Sequence, residues 1–238
     1  MNTGLEIHNS VQRLPSITEC GHAYRVPIGT GLFRCVQCGS TFNTEKEEKQ
    51  CTTLVMPPEI FGLSEKLWTK VSPWPLLPYE IAKRYGWYIT IIGLDEYLVM
   101  PIIRNGQPVF YSARRLTNNG GLKYYYQTGC KRHYWISRDK MESPIVICEG
   151  VADSVYTSLV ADSVALLSNY YNGSLDSDLA GKRVIVALDG DSIGFTSAVR
   201  IAKQLQGICN VTVASLPEGK DPTDLPIAEL KELLRVSV

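Results

Sequence analysis

Several features are missing from this sequence, and each absence excludes something. None of the 238 residues sits in an apolar run of the ~20 needed to cross a bilayer, so no membrane helix and no membrane partner are expected. The opening MNTGLEIHNS has neither the basic nor the apolar stretch of a secretory leader. The expectation is a cytoplasmic protein, its seven cysteines kept reduced and available as metal ligands rather than paired in a disulfide framework. Internal repeats and low-complexity stretches are absent too. With 45% apolar and 20% charged residues, the chain has the composition of a folded globular protein. Its length suits one large domain or two to three small ones.

The most informative absence is local. Residues 97–138 contain no Asp or Glu, yet hold Arg104, Arg114, Arg115, Lys123, Lys131, Arg132 and Arg138. Tyr111, Tyr124–Tyr126, His133, Tyr134 and Trp135 are interleaved with them. Basic side chains attract phosphates and aromatic faces stack on bases, which together describe a path for single-stranded nucleic acid. A basic sheet face with core aromatics is the structural alternative, and it is the favoured one for the tyrosine triplet. The formal net charge of zero hides a division. Residues 60–143 carry 12 basic and 6 acidic side chains, and residues 144–238 carry 7 and 12. A basic middle and an acidic end suggest two tasks, gripping a polyanion and holding a cation.

Organisation follows from punctuation and periodicity. ECGHAYRVPIGTGLFRCVQCGSTF (19–42) is Gly-rich and strand-like, and NTEKEEKQ reads as a solvated link. Pro73, Pro75 and Pro78 interrupt a helical pattern before YEIAKRYG, a short helix closed by Gly86. Two strand-like runs, 97–103 and 108–113, flank RNGQ, a strong hairpin signal. From Ser143 strands and helices alternate: strand 144–149, helix 150–161, strand 163–167, strand 183–189, helix 192–207, strand 210–216, helix 225–236. That alternation predicts a parallel, doubly wound sheet, whose functional residues collect at the carboxyl ends of its strands.

Acids stand at two of those ends. Glu149 follows PIVIC, and Asp189 and Asp191 follow RVIVAL with one glycine between them. Nearby carboxylates repel, so such a cluster calls for a cation or for solvent. Hard oxygen ligands suit Mg²⁺ or Mn²⁺. Gly150 and Gly190 remove side chains beside the acids, where a phosphate could approach the backbone. The alternative is that Asp-Gly-Asp is a turn in which Asp191 or Ser192 caps the next helix.

VICEGVAD and LDGDSIGFTSA resemble the two motifs of the Toprim domain shared by topoisomerases and bacterial-type primases. LPEGKDPTDL (216–225) resembles the segment that follows the fourth strand in DnaG-type primases. The resemblance implies that Glu149, Asp189 and Asp191 are the core metal acids, with Asp153, Asp221 and Asp224 supporting them. RNGQPVFYSARRL and LKYYY are similar to the hairpin and Lys-Tyr element preceding Toprim in the same primases. This puts Arg114 or Arg115, and Lys123, nearest the nucleotide phosphates or the template, with Lys131, Arg132 and Lys220 as further contacts. The same family carries an N-terminal zinc ribbon. Here CVQC supplies Cys35 and Cys38, and Cys20 with His22 are the candidates for the other two Zn²⁺ ligands. CGH departs from the usual two-residue spacing, so Cys51 or His8 could substitute. A domain of ~30 residues needs such a staple.

The implied architecture is α/β. A zinc ribbon spans 1–44, a linker 45–59, a mixed basic α+β subdomain 60–142, a Rossmann-like Toprim sheet 143–216, and a C-terminal segment with its helix 217–238. The implied function is that of a DNA primase making short RNA primers on single-stranded DNA from NTPs, by metal-dependent nucleotidyl transfer. Glu149 then serves either as a metal ligand or as the base. A replicative helicase stays open as a partner, and the shortness of the chain resembles phage or plasmid enzymes. Two other readings share the acids: a non-catalytic zinc and Toprim DNA-binding recombination mediator of RecR type, and a Toprim nuclease.

Overall fold

The structure is a computed structural model. It describes the backbone of strands within residues 12–43, and residues 53–117, 122–127 and 133–236 in full. The chain divides into two compact units, residues 1–49 with Asn172–Ser174, and Gln50–Tyr171 with Leu175–Val238. In the first, β1 (Gln12–Arg13), β2 (Tyr24–Gly29), β3 (Leu32–Cys35) and β4 (Thr41–Asn43) form an antiparallel sheet in chain order. Cys35 closes β3. Cys20, His22, Cys38 and the substitutes His8 and Cys51 lie outside the described residues, as does any account of a zinc site.

The second unit opens with an antiparallel sheet. It runs β5 (Phe61–Gly62), β6 (Tyr88–Ile92), β7 (Asp95–Arg104), β8 (Gln107–Arg115), β9 (Tyr124–Tyr125) in order. Two short helices lie between β5 and β6: α1 (Glu65–Val71), capped by the Ser64 hydroxyl, and α2 (Tyr79–Arg84). The intervening prolines end one helix and set up the next. Asn105 and Gly106 both take positive φ, 50° and 73°, the pair of conformations a tight hairpin requires. Alternation then sorts the side chains of β7 and β8. Leu98, Met100, Ile102 and Phe110 enter the main core, while Tyr97, Val99, Tyr111 and Ala113 form a smaller cluster on the other face.

The second sheet contains β10 (Trp135–Ile136), β11 (Ile145–Cys148), β12 (Asp162–Ala165), β13 (Arg183–Val186) and β14 (Asn210–Val213), in spatial order 10-12-11-13-14. The last four strands by sequence are mutually parallel, and β10 adds an antiparallel edge. Helix α3 (Val151–Thr157) follows β11, the short α4 (Asp176–Leu179) precedes β13, and α5 (Ser192–Leu205) links β13 to β14. A 3-10 turn at Pro222–Asp224 leads into α6 (Ile227–Leu234).

Both faces of this sheet are covered, as the apolar runs predict. Ile145, Ile147, Val184 and Val186 pack with Ala198, Ile201 and Leu205 of α5. Val146, Cys148, Ile185 and Ala187 pack with α3 and α6. That second layer is continuous with the Trp68–Trp74–Trp87 cluster and the antiparallel sheet. The basic stretch and the acidic third therefore share one core.

The observed elements depart from expectation in detail. Helix α3 ends at Thr157 rather than 161, because Val160 N–H bonds to Thr157 O in a tighter turn. Strand β14 ends at Val213, just before Ala214, whose N–H bonds Val186 O at 2.9 Å. Strands as short as β10 and a one-turn helix such as α4 carry no periodicity from which to read them.

Candidate active site

The carboxyl ends of β11 and β13 deliver the expected acids. Glu149 leaves β11 immediately before Gly150, the cap of α3. Burial pushes its carboxyl up to about 7, with Asp189, Asp191 and Asp221 adding to the rise and Lys123 opposing it. Asp189 stands three residues beyond β13 and is pushed up to about 6, again chiefly by burial, then by Asp221. Its Oδ1 is buried and has no hydrogen-bond partner. Asp153, in the first turn of α3, is buried and pushed up to about 8, by desolvation first and Asp189 second. The carboxyls thus hold protons tightly because burial and mutual repulsion disfavour their charged forms.

Asp191 does what the capping alternative anticipated: Gly194 N–H donates to its Oδ1 at 2.6 Å, making it the N-cap of α5. The cap occupies one oxygen, and the residue remains exposed. Asp221 caps the 3-10 turn and is raised by burial and by Asp224. Asp224 is exposed, and its Oδ2 accepts from Asp221 N–H at 3.0 Å. It therefore shapes the turn that presents Asp221.

Gly190 has a purpose that its sequence position did not disclose. The space a Cβ would need is filled by backbone, Pro217 O at 2.2 Å and Lys220 O at 2.6 Å. Gly190 N–H donates to Lys220 O at 2.8 Å, and Gly219 N–H donates to Gly190 O at 2.7 Å. The glycine lets the 217–220 segment lie across the acid turn, a correction to the expectation that it leaves room for a phosphate. Gly194 is equally constrained, since its Cβ would lie 2.1 Å from Asp189 O.

The basic side chains come from the antiparallel sheet. Arg114 pairs with Tyr124 across β8 and β9, so both point the same way, and Arg114 Nη1 donates to the Tyr124 hydroxyl at 3.0 Å. The guanidinium lies 5.0 Å from the Trp74 ring, and its charge lowers the proton affinity of Asp221. Arg115 faces oppositely, 4.0 Å from Asp95. Strand alternation places the two arginines that the motif left open on opposite faces, Arg114 with Tyr124 and Arg115 with Asp95. Lys123 sends its ammonium over the Tyr124 ring at 5.7 Å and acts electrostatically on Glu149, Asp189 and Asp221. Lys220 is exposed, and its carbonyl serves Gly190. Lys131 and Arg132 lie outside the described residues. In the tyrosine triplet, Tyr124 and Tyr126 pack against the core, whereas Tyr125 is exposed beside Tyr97.

Among the described residues, no three Asp, Glu, His or Cys are gathered as a finished metal cage. Magnesium does not need one, being usually held by one or two carboxylates with water and phosphate oxygens completing the octahedron. An all-oxygen donor set and the unpartnered Asp189 Oδ1 fit such an ion.

Residues 146–225, which carry this acid cluster, match the family model described as Toprim-like. The chain carries a Toprim-like domain. No curated protein gives a match. Among solved structures, the RNA polymerase domain of Mycobacterium tuberculosis primase DnaG is similar, with a TM-score of 0.55 and 20% identity, over 71% of this chain and 74% of that one. The Aquifex aeolicus primase, comprising zinc-binding and RNA polymerase domains, is similar at TM-score 0.50 and 20% identity. That likeness covers 75% of this chain and half of the other. The primase fragment of the bacteriophage T7 primase-helicase protein gives 0.49 at 16% identity, over 94% and 98%. The first two of these likenesses show that the fold framing the Toprim-like domain is a primase-type fold. Among the described residues no helix is long and apolar enough to cross a membrane.

Thr223 escaped the sequence reading, and so did the contact of Tyr124 with Arg114. Thr223 reaches Asp153, and Tyr124 anchors Arg114. Hydroxyls in a Pro-Thr-Asp turn and a tyrosine triplet announce neither contact. Only strand pairing and chain crossing create them.

Proposed function

We propose that this chain is a DNA primase, a nucleotidyltransferase that joins NTPs into short RNA primers on a single-stranded DNA template. The observation that carries the reading is the meeting of two opposite chemistries in one unit. Glu149, Asp189 and Asp221 from the Toprim-like domain feel the charge of Lys123 from the antiparallel sheet. Carboxylates suited to a divalent cation opposite cations suited to phosphate describe a place for a triphosphate and its metal.

In this reading Asp189 and Asp191 hold Mg²⁺ or Mn²⁺ with the supporting acids Asp153, Asp221 and Asp224 around them. When bound there, such an ion would neutralise charge at the triphosphate and lower the pKa of an attacking hydroxyl. Arg114 and Lys123 hold the phosphates, with Lys220, Lys131 and Arg132 available to the template. Glu149, whose carboxyl holds its proton up to about 7, suits the role of acceptor for the proton of the 3′-hydroxyl. Attack on the α-phosphate forms the new P–O bond as pyrophosphate leaves. Positioning and electrostatic stabilisation do most of the work. The N-terminal unit belongs to the same proposal as a Zn²⁺-stapled template reader through Cys20, His22, Cys35 and Cys38.

The test incubates the protein with single-stranded DNA, labelled NTPs and Mg²⁺ or Mn²⁺. Labelled oligoribonucleotides that vanish in Asp189→Ala are expected. Tight DNA binding without product across varied templates would overturn the enzyme reading in favour of a binding module. Shortened DNA would point to a nuclease. Zinc content lowered in Cys20→Ser and His22→Ala is expected of the ligand assignment.

A further inference from the structure

Beside the acids, and sharing Asp189 and Asp191 with them, lies a cleft whose other lining residues the proposed chemistry does not use. It measures about 630 Å³ and opens between the ends of β13 and β14 and the first turns of α5, a size within the usual range of small-molecule sites. Leu188, Ala198, Ala214 and Leu216 give it an apolar floor, and Asp189 and Asp191 form its border with the acid cluster. Phe195 stands at its edge, 50% exposed. A phenyl ring left half in water on the first turn of an amphipathic helix gains nothing for the core, because the apolar face of α5 is already supplied by Ala198, Ile201 and Leu205.

The chemistry of the lining selects the occupant. Among the described residues no Lys, Arg or His lines the cleft, while Asp189, Asp191 and Glu218 do. A phosphate that brings no cation is therefore repelled from the cleft itself. A flat, neutral, aromatic group with N–H donors at its edge meets an apolar floor, a ring to stack on and a carboxylate to receive it. We propose that this cleft takes the nucleobase of a nucleotide whose phosphates lie toward Lys123 and Arg114, and that Phe195 is its stacking surface. The proposal rests on the nucleotidyltransferase reading and adds to it the residue that grips the base. Stacking on one face is tolerant of base identity, as a template-directed enzyme requires, since pairing rather than protein then selects the nucleotide.

The four native tryptophans, Trp68, Trp74, Trp87 and Trp135, are all buried, so acrylamide reaches chiefly one introduced at position 195, and the parent titrated in parallel subtracts any response of Trp74, which lies beside Arg114. Phe195→Trp in the full chain is titrated with ATP plus Mg²⁺, and separately with inorganic tripolyphosphate plus Mg²⁺, while indole fluorescence and its quenching by acrylamide are followed. ATP is expected to shield the indole, and tripolyphosphate is expected to leave it accessible. By calorimetry, Phe195→Ala is expected to bind ATP roughly tenfold more weakly than the parent while keeping its affinity for tripolyphosphate. Ile193→Ala, on the same turn but outside the cleft lining, is expected to match the parent. Parental ATP affinity in Phe195→Ala, or an indole that ATP leaves exposed, overturns the stacking assignment and leaves the primase reading standing. Failure of the parent to bind either ATP or tripolyphosphate overturns both together. Because Phe195 is half exposed, loss of its ring does not threaten the fold, and circular dichroism of each variant verifies this.

Discussion

Thr223 donates its hydroxyl to Asp153 Oδ1 at 3.1 Å, joining residues 70 positions apart in the chain. The bond fastens the 3-10 turn that presents Asp221 to the helix that follows Glu149. Thr223 is itself 1% exposed, so no water can replace it. Thr223→Val keeps the shape and removes the hydroxyl donor, leaving the buried carboxyl only the backbone N–H of residue 223. A loss of about 1–3 kcal/mol in urea unfolding is expected, and Thr223→Ser is expected to restore most of it.

Asp153 also makes stability depend on pH. Its folded carboxyl is pushed up to about 8 by burial and by Asp189, against ~3.9 in an unfolded chain. The unfolded state therefore releases this proton first. The favourable contribution of the neutral carboxyl is complete below pH ~4 and is lost as pH rises toward 8. Asp153→Asn, which can still accept from Thr223, is expected to be more stable than the parent at pH 8.5 by on the order of a few kcal/mol. The difference should shrink toward pH 4. Denaturant unfolding at both pH values, with chelator present, measures it.

Gly190 and Gly150 should respond differently to a methyl group. At Gly190 the new Cβ meets two backbone carbonyls at 2.2 and 2.6 Å, neither of which can move without lifting the 217–220 segment. Gly190→Ala is expected to cost about 1–3 kcal/mol or more and to remove primer synthesis. At Gly150 the obstruction is the Asp153 side chain, Oδ2 at 2.7 Å, which can shift only at the expense of its bond to Thr223. Gly150→Ala is expected to fold with a smaller loss of stability and a lowered activity. Thermal melts and primer assays on the two variants separate these outcomes.

The two adjacent arginines give a fourth contrast. Arg114 bonds Tyr124 and acts on Asp221, whereas Arg115 faces Asp95 on the opposite side of the sheet. Arg114→Ala is expected to lower kcat/KM for NTPs by roughly ten- to a hundredfold, the scale of one charge-assisted phosphate contact. Arg115→Ala is expected to lower melting temperature more than it lowers kcat/KM. Steady-state kinetics beside a melt of each protein decides between them. Tyr124→Phe, which removes only the hydroxyl partner, is expected to weaken NTP binding less than Arg114→Ala does.

Much of this architecture was legible because it is local. Apolar runs ending in Glu149 and Asp189 specify strands with acids at their carboxyl ends. Asn105-Gly106 specifies a hairpin, since those residues tolerate the positive φ that its turn requires. Asp191 could be read as a cap from its place before a helix, and the structure gives it that duty. The two-residue strands β5, β9 and β10 were not legible, because pairing partners far along the chain create them.

Residue types and spacing by themselves determined a doubly wound parallel sheet, a basic stretch with one hairpin and a cluster of carboxylates inviting a cation. Only the tertiary structure decided which arginine faces the acids, why Gly190 bears no side chain, and that Thr223 secures Asp153. Propensity and periodicity act over a few residues and so leave a mark in the sequence. A hydrogen bond across 70 positions, or a backbone crossing that fills the space of a missing Cβ, depends on packing that no local pattern encodes.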